Sequence, residues 1–182
     1  MRIVGGKYKS SVLCELKGEN IRPTSDMVRE SLFNILQNRI YGAKFLDLFC
    51  GTGAMGIEAL SRGAAFTAFN DADRKSLALL NKNIEKLKVD DNYKIYNLDA
   101  LDLLKRAGGE FDIIYIDPPY KTDLGIKALK LVANALNDGG IVIFEDEKPF
   151  SGEVDGLTVY DRRKYGRVHL TFFVLSPLNK GE

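Results

Sequence analysis

The 182-residue sequence predicts an α/β fold: a mostly parallel, seven-stranded sheet with helices on both faces, a C-terminal antiparallel hairpin and a small N-terminal strand-and-helix extension. Three observations predict it. Short β-rich runs alternate at least four times with segments whose apolar residues recur at intervals of three and four. Strand-like runs such as Ile113-Ile114-Tyr115-Ile116 are almost continuously apolar, as parallel strands are when helices cover both faces. Gly63, Gly108 and Gly139 stand where helices should end in a left-handed cap.

Taken in order, residues 1–16 read as a short strand or hairpin bent at Gly5-Gly6. Thr24 then caps a helix with Asp26 in its first turn, whose apolar face is Val28, Leu32, Ile35 and Leu36. The predicted strands are Lys44–Phe49, Phe66–Asn70, Tyr93–Asn97, Phe111–Asp117 and Gly140–Glu145. Between them, Leu77, Leu80, Ile84 and Leu87 mark one helix, and Ile126, Leu129, Ala133 and Leu136 another. Two last β-rich runs, Leu157–Tyr160 and Val168–Leu175, form a hairpin joined by the polar segment 161–167. The expected division is an N-terminal extension at 1–40 and a main domain at 41–182.

Composition narrows the function classes. No apolar stretch exceeds about ten residues, roughly half a membrane-spanning helix, and no secretory leader is visible, so a cytoplasmic protein is expected. Cys14 and Cys50 lie far apart with no C-x-x-C spacing, which encodes neither a disulfide framework nor a zinc site; no metal is expected. Net charge is only +1, but residues 1–44, 45–158 and 159–182 carry +4, −6 and +3. Basic ends around an acidic middle suggest that the ends touch a polyanion. The candidates are Arg2, Lys7, Lys9, Arg22 and Arg29 at one end and Arg162, Arg163, Lys164 and Arg167 at the other. Arg29 could equally pair with a nearby carboxylate, the 162–167 run could be a solvated hairpin tip, and His169 reads as a packed residue.

The first strand of the main domain runs into Asp47-Leu48-Phe49-Cys50-Gly51-Thr52-Gly53-Ala54-Met55-Gly56. Glycines here let the chain turn sharply and let a ligand approach the backbone. Gly51, Gly53 and Gly56 also satisfy G-x-G-x-x-G, with Asp71 at the distance of a ribose-binding acid, so a nicotinamide enzyme is a rival. Asp47 separates the two readings: a carboxylate before the loop repels a pyrophosphate but suits a ligand bearing a cationic amino group. Asp71 can accept both hydroxyls of a ribose. Asp99, after the third strand and before Ala100, places a third acid at a third strand end.

The fourth strand ends in Asp117-Pro118-Pro119-Tyr120. Two prolines cannot continue the sheet ladder, so they leave carbonyl oxygens available to a substrate. An exocyclic amine of a nucleobase is a poor nucleophile because its lone pair is delocalised into the ring. Hydrogen bonds from its two protons to the Asp117 carboxylate and the Pro118 carbonyl would make it more tetrahedral, while Tyr120 stacks on the base.

D-x-F-x-G-x-G at Asp47–Gly53 resembles the first motif of the seven-stranded, Rossmann-like methyltransferases, in which this loop meets the methionine part of S-adenosylmethionine. By that resemblance Asp47, Phe49, Gly51, Gly53, Asp71, Asp99 and Ala100 hold the cofactor, with Asp99 accepting from the adenine amino group. Asp117-Pro118-Pro119-Tyr120 resembles the [DN]-P-P-[YF] signature of amino-group methyltransferases. Arg2-Ile3-Val4-Gly5-Gly6, the run Ile21–Leu36 with its R-P-T-x-D-x-V-R-E block at Arg22–Glu30, and Tyr165-Gly166 closely resemble the RsmD-type 16S ribosomal RNA guanine-N2 methyltransferases. That family usually has an Arg-Gly-Arg-like run where this chain has Lys7-Tyr8-Lys9-Ser10-Ser11, leaving fewer guanidinium forks for phosphates. The resemblance implies methylation of a guanine in 16S rRNA, of the guanine-966 type, within a 30S subunit or an assembly intermediate, by a monomer. The alternatives are a DNA adenine or cytosine methyltransferase, disfavoured because 182 residues leave no room for a target-recognition domain, and a non-catalytic RNA-binding assembly protein.

Overall fold

The computed structural model describes residues 1–15, 26–90, 92–119 and 122–177. The elements in chain order are α1 (Asp26–Ile35), α2 (Gln37–Ile40), β1 (Lys44–Asp47), α3 (Ala54–Ser61), β2 (Phe66–Asn70), α4 (Arg74–Leu87), β3 (Tyr93–Tyr96), α5 (Ala100–Arg106), β4 (Phe111–Ile116), α6 (Leu124–Val132), a 3-10 turn (Ala133–Ala135), β5 (Leu136–Asp146), β6 (Leu157–Tyr165) and β7 (Val168–Leu175). The strands form one seven-stranded sheet in the order β3-β2-β1-β4-β5-β7-β6. The first five are parallel and β7 is antiparallel to both β5 and β6, as the sequence predicts.

Period-two alternation sends neighbouring residues of each central strand to opposite faces. Leu46, Ile114 and Val142 join a core with Leu103 and Leu104 of α5 and Leu129 and Val132 of α6. Phe45, Ile113 and Ile143 face the other way, onto Val28, Leu32 and Phe33 of α1 and Ala59 of α3. Both faces are thus covered, which explains why the strands read as unbroken apolar runs. A third cluster holds Ile3, Tyr8 and Leu13 of the N-terminal arm against Ile57 and Leu60 of α3 and Leu80 and Ile84 of α4. The arm closes on itself through Ile3 N–H to the Ser11 carbonyl and Ser10 N–H to the Ile3 carbonyl, with a single antiparallel bridge between Arg2 and Val12. It is therefore packed into the main body. The helix at 26–35 buries Val28, Leu32 and Phe33; Thr24, its expected cap, lies outside the described residues.

Four local expectations are corrected. Gly109, not Gly108, takes the left-handed conformation, at φ +62°. Gly139, at φ +75°, sits inside β5 where the register with β4 shifts between Phe111 and Ile113, so it serves a bulge and not a helix cap. Helix α6 ends at Val132: Leu136 opens β5, and Ile126 is exposed while Gly125 and Ala128 face the core. Strand β6 runs on through Asp161-Arg162-Arg163-Lys164-Tyr165, so the hairpin turns only at Gly166-Arg167. A polar edge strand lacks the alternation that reveals strands in sequence, because only one of its backbone edges and little of its surface is covered.

Candidate active site

Strand β1 pairs with β2 on one side and β4 on the other, so the crossovers leaving β1 and those reaching β4 lie on opposite sides of the sheet. A crevice opens at the carboxyl ends of strands at such a switch point. Asp47, Asp71 and Asp117 are the residues at or just past the ends of β1, β2 and β4.

Asp47 is 1% exposed, and its Oδ2 accepts a hydrogen bond of 2.9 Å from the Gly56 N–H in the first turn of α3. Burial pushes its pKa up to about 7; the Gly56 hydrogen bond opposes that shift and the nearby Asp71 carboxylate adds to it. Between them the loop turns through Gly51 at φ +52° and Gly53 at φ +82°. The Gly51 N–H donates to Asp71 Oδ2 at 2.8 Å, and the Cys50 N–H to the Asn70 carbonyl at 2.8 Å. The glycines have distinct duties. A Cβ at Gly51 would meet nothing within 4 Å, which is the open approach a ligand needs. A Cβ at Gly53 would lie 2.2 Å from Leu80 and one at Gly56 2.2 Å from the Phe69 ring, so these two let α3 pack closely on α4 and β2. Phe49 is half-buried against the α5–α6 core. The buried Cys50 thiol is held protonated by desolvation and by the Asp47 and Asp71 carboxylates.

Two asparagines that sequence reasoning missed tie the strand ends together. Asn70 is fully buried; its Nδ2 donates to the Leu48 carbonyl at 3.1 Å and the Leu98 carbonyl at 3.2 Å, and its Oδ1 accepts from the Leu98 N–H. One amide thereby joins the loops after β1, β2 and β3. Asn97 Nδ2 donates to the carbonyls of Asp71 and Ala72. Held in this way, Asp71 gives one oxygen to Gly51 N–H and the other to Asp73 N–H, and keeps lone pairs toward solvent. Asp99 is the N-cap of α5: its Oδ1 accepts from the N–H groups of Leu101 and Asp102, leaving Oδ2 exposed, and Ala100 is buried beneath it.

At the end of β4, Ile116 pairs with Phe144, which brings Asp117 beside Glu145 of β5. Glu145 is 1% exposed and accepts a hydrogen bond from the buried Tyr115 hydroxyl. Asp117 keeps partial solvent contact, yet desolvation, Glu145, Asp47 and Asp146 together raise its pKa well above the usual carboxylate range. Among the described residues, the charged neighbours that act on it are all carboxylates. Thr122 donates to the Pro119 carbonyl at 2.7 Å, while the Pro118 carbonyl meets no donor among the described residues. Tyr120 lies outside the described residues. Among the described residues no group of three or more His, Cys, Asp or Glu side chains could hold a metal, and no helix is long and apolar enough to cross a membrane.

The candidate RNA residues divide. Arg2 and Lys9 are exposed, Arg2 lying 3.9 Å from Asp26, and Lys7 pairs with Asp90. Arg162, Arg163, Lys164 and Arg167 are exposed along and beyond edge strand β6, with Arg163 held to Asp161 at 2.8 Å. Arg22 lies outside the described residues. For Arg29 the structure favours the carboxylate alternative: it is fully buried, bonded to Asp26 at 2.8 Å and the Arg2 carbonyl and paired with Glu58 at 3.5 Å, so its guanidinium holds the arm from within. Glu58, also fully buried, accepts from Arg62 at 2.7 Å and from the Val4 N–H at 2.8 Å.

Comparison with known proteins gives the same outline. The model of a family described as conserved hypothetical protein 95 matches residues 1–174. The chain is 39% identical over 140 residues to ribosomal RNA small subunit methyltransferase D of Escherichia coli K12, covering 77% of this chain and 68% of that protein. It is 35% identical over 153 residues to the Haemophilus influenzae protein of the same name, covering 81% of this chain and 79% of the other. Among solved structures, the putative methyltransferase yhhF from Escherichia coli superposes with a TM-score of 0.85 at 30% identity, covering 96% of this chain and 97% of that one.

Proposed function

Because the chain belongs to the family described as conserved hypothetical protein 95, in which its relatives are RsmD-type methyltransferases, we propose that it transfers a methyl group from S-adenosylmethionine to the exocyclic N2 amine of a guanine in 16S ribosomal RNA, of the guanine-966 type. The observation that carries this reading is the meeting of an Asp-Pro-Pro strand end and a glycine loop in one crevice with the buried carboxyls of Asp47 and Glu145.

The residues fit the cofactor. Burial and neighbouring carboxylates disfavour the ionised forms of Asp47 and Asp117, and the cofactor's sulfonium and ammonium cations suit the crevice because they favour those carboxylates. Asp71, fixed by two backbone N–H groups, keeps acceptor capacity for two ribose hydroxyls. The free Oδ2 of Asp99 suits the adenine amino group, and the open face of Gly51 admits the methionine part. When bound, the cofactor supplies an electrophilic methyl group.

The chain's own residues prepare the nucleophile. The guanine N2 protons donate to the Asp117 carboxylate and the Pro118 carbonyl, which draws the lone pair out of the ring and aims it. Tyr120 holds the base flat by stacking. Once methylated, the nitrogen carries one proton too many, and Asp117, made basic by Glu145 and by burial, is placed to take it. The exposed Arg2, Lys7 and Lys9 at the arm, with Arg162, Arg163, Lys164 and Arg167 at the hairpin, supply phosphate contacts. Mass mapping of modified nucleotides in 16S RNA from cells with and without the protein tests the reading: one N2-methylguanosine should disappear. An unchanged modification map would overturn it.

A further inference from the structure

A cavity of about 190 Å3 lies between the end of β4, the start of α6 and the end of β5, lined by Pro118, Gly125, Phe144, Asp146, Glu147 and Lys148 among others. It is smaller than the roughly 300–1,000 Å3 of a drug-sized site, so it suits a single planar group. Its walls are built for close packing: a Cβ at Gly125 would sit 2.6 Å from Pro118 Cγ and 2.7 Å from the Phe144 ring. Among the described residues its polar side chains are Thr122, Asp146, Glu147 and Lys148. Asp146 is half-buried and near enough to act electrostatically on Asp117; its Oδ1 accepts from the Glu147 N–H at 2.6 Å, leaving Oδ2 unengaged. Lys148 is exposed and makes no ion pair among the described residues.

Guanine carries, in order along one edge, the 2-amine, the N1–H donor and the O6 acceptor. With the amine at Asp117 and Pro118, the two groups beyond it need an acceptor and then a donor. We propose that this cavity reads the remainder of the guanine edge, the Asp146 carboxylate accepting from N1–H and the Lys148 ammonium donating to O6. Adenine and cytosine, entering with their one amine at Asp117, are refused chiefly at Asp146, since each presents a ring-nitrogen lone pair to that carboxylate, and adenine then offers Lys148 only C2–H. Buried or partly buried polar groups left unpaired in this way discriminate strongly between otherwise similar ligands. The inference rests on the proposed guanine-N2 reading and names what enforces it.

The test uses the full chain with S-adenosylhomocysteine bound and two probes, guanosine and 2,6-diaminopurine riboside. Both carry the 2-amine; the second lacks N1–H and has an amine in place of O6. Nuclear magnetic resonance titration of the wild type should show guanosine preferred by about tenfold or more. Lys148→Ala and Asp146→Ala should each abolish most of that preference with cofactor affinity unchanged, and Lys148→Arg should keep it. Absence of a preference in the wild type, or an undiminished one in both alanine variants, overturns the inference. Methylation of 30S subunits from cells lacking the protein is measured alongside. If the wild type forms N2-methylguanosine there while the variants keep the preference, the proposed function stands and only this inference fails.

Discussion

Asp47 should make cofactor binding expel a proton. Its carboxyl is 1% exposed, and burial raises its pKa from 3.8 to about 7, worth roughly 4 kcal/mol between the two protonation states. A raised carboxyl pKa means that the folded state holds the proton more tightly than the unfolded chain does. The resulting stability is fully present below pH 3.8 and is lost as pH rises through about 7. A cationic ligand reverses the preference by favouring the carboxylate. At pH 6 about nine in ten unliganded molecules hold the Asp47 proton, and at pH 8 about one in ten, so binding should release about one proton at pH 6 and few at pH 8. Titration calorimetry of S-adenosylmethionine in buffers of different ionisation enthalpy reads that number directly. Since Asp117 is also raised, the Asp47 share is the difference between wild type and Asp47→Asn. Asp47→Asn should release about one proton fewer at pH 6, and in urea it should be relatively more stable at pH 8 than at pH 5. Equal proton release by the two proteins, with affinity retained, would refute the reasoning.

Other perturbations separate chemistry, architecture and RNA binding. Asp117→Ala should leave the fold in place while single-turnover methyl transfer at saturating cofactor falls about 10²- to 10³-fold, the usual effect of removing one preorganised transition-state partner. Glu58→Gln leaves the fully buried Arg29 without its second carboxylate and should cost about 3–5 kcal/mol, read as a lower urea midpoint. Replacing Arg162, Arg163 and Lys164 together by alanine should flatten the dependence of RNA affinity on salt, measured by filter binding between 50 and 200 mM salt, roughly the range over which phosphate contacts weaken most visibly. Cofactor affinity should not follow.

The parts of this molecule that show in its sequence are those whose reasons are local. Strand and helix identities, and the acids at the ends of β1, β2 and β4, follow from periodicity and from residues adjacent in the chain. Asn70 does not show, because it acts by joining Leu48 and Leu98, which are distant in sequence from it and from each other. The fate of Arg29 was undecidable for the same reason: its partner Glu58 lies 29 positions further on, on another helix. Gly51, Gly53 and Gly56 look alike as letters, and only the neighbours Leu80 and Phe69 separate the open-faced glycine from the two that serve packing. Only the first half of strand β6 shows in the sequence, because exposed charges on a sheet edge obey no apolar period.

Helix α3 holds the two ends of this enzyme together over a very short span. Its first turn gives the Gly56 N–H to Asp47, and its last turn gives the Ser61 carbonyl to Lys7 N–H while Ser61 Oγ binds both the Gly5 carbonyl and the Tyr8 N–H. Eight residues at 1.5 Å each make a strut of about 12 Å. The N-terminal arm is consequently no detachable tag: trimming it would strip Ile3, Tyr8 and Leu13 from a shared core and unseat the far end of the helix that carries the glycine loop. Exchanging the arm for a relative's would therefore require the last turn of α3 to be exchanged with it.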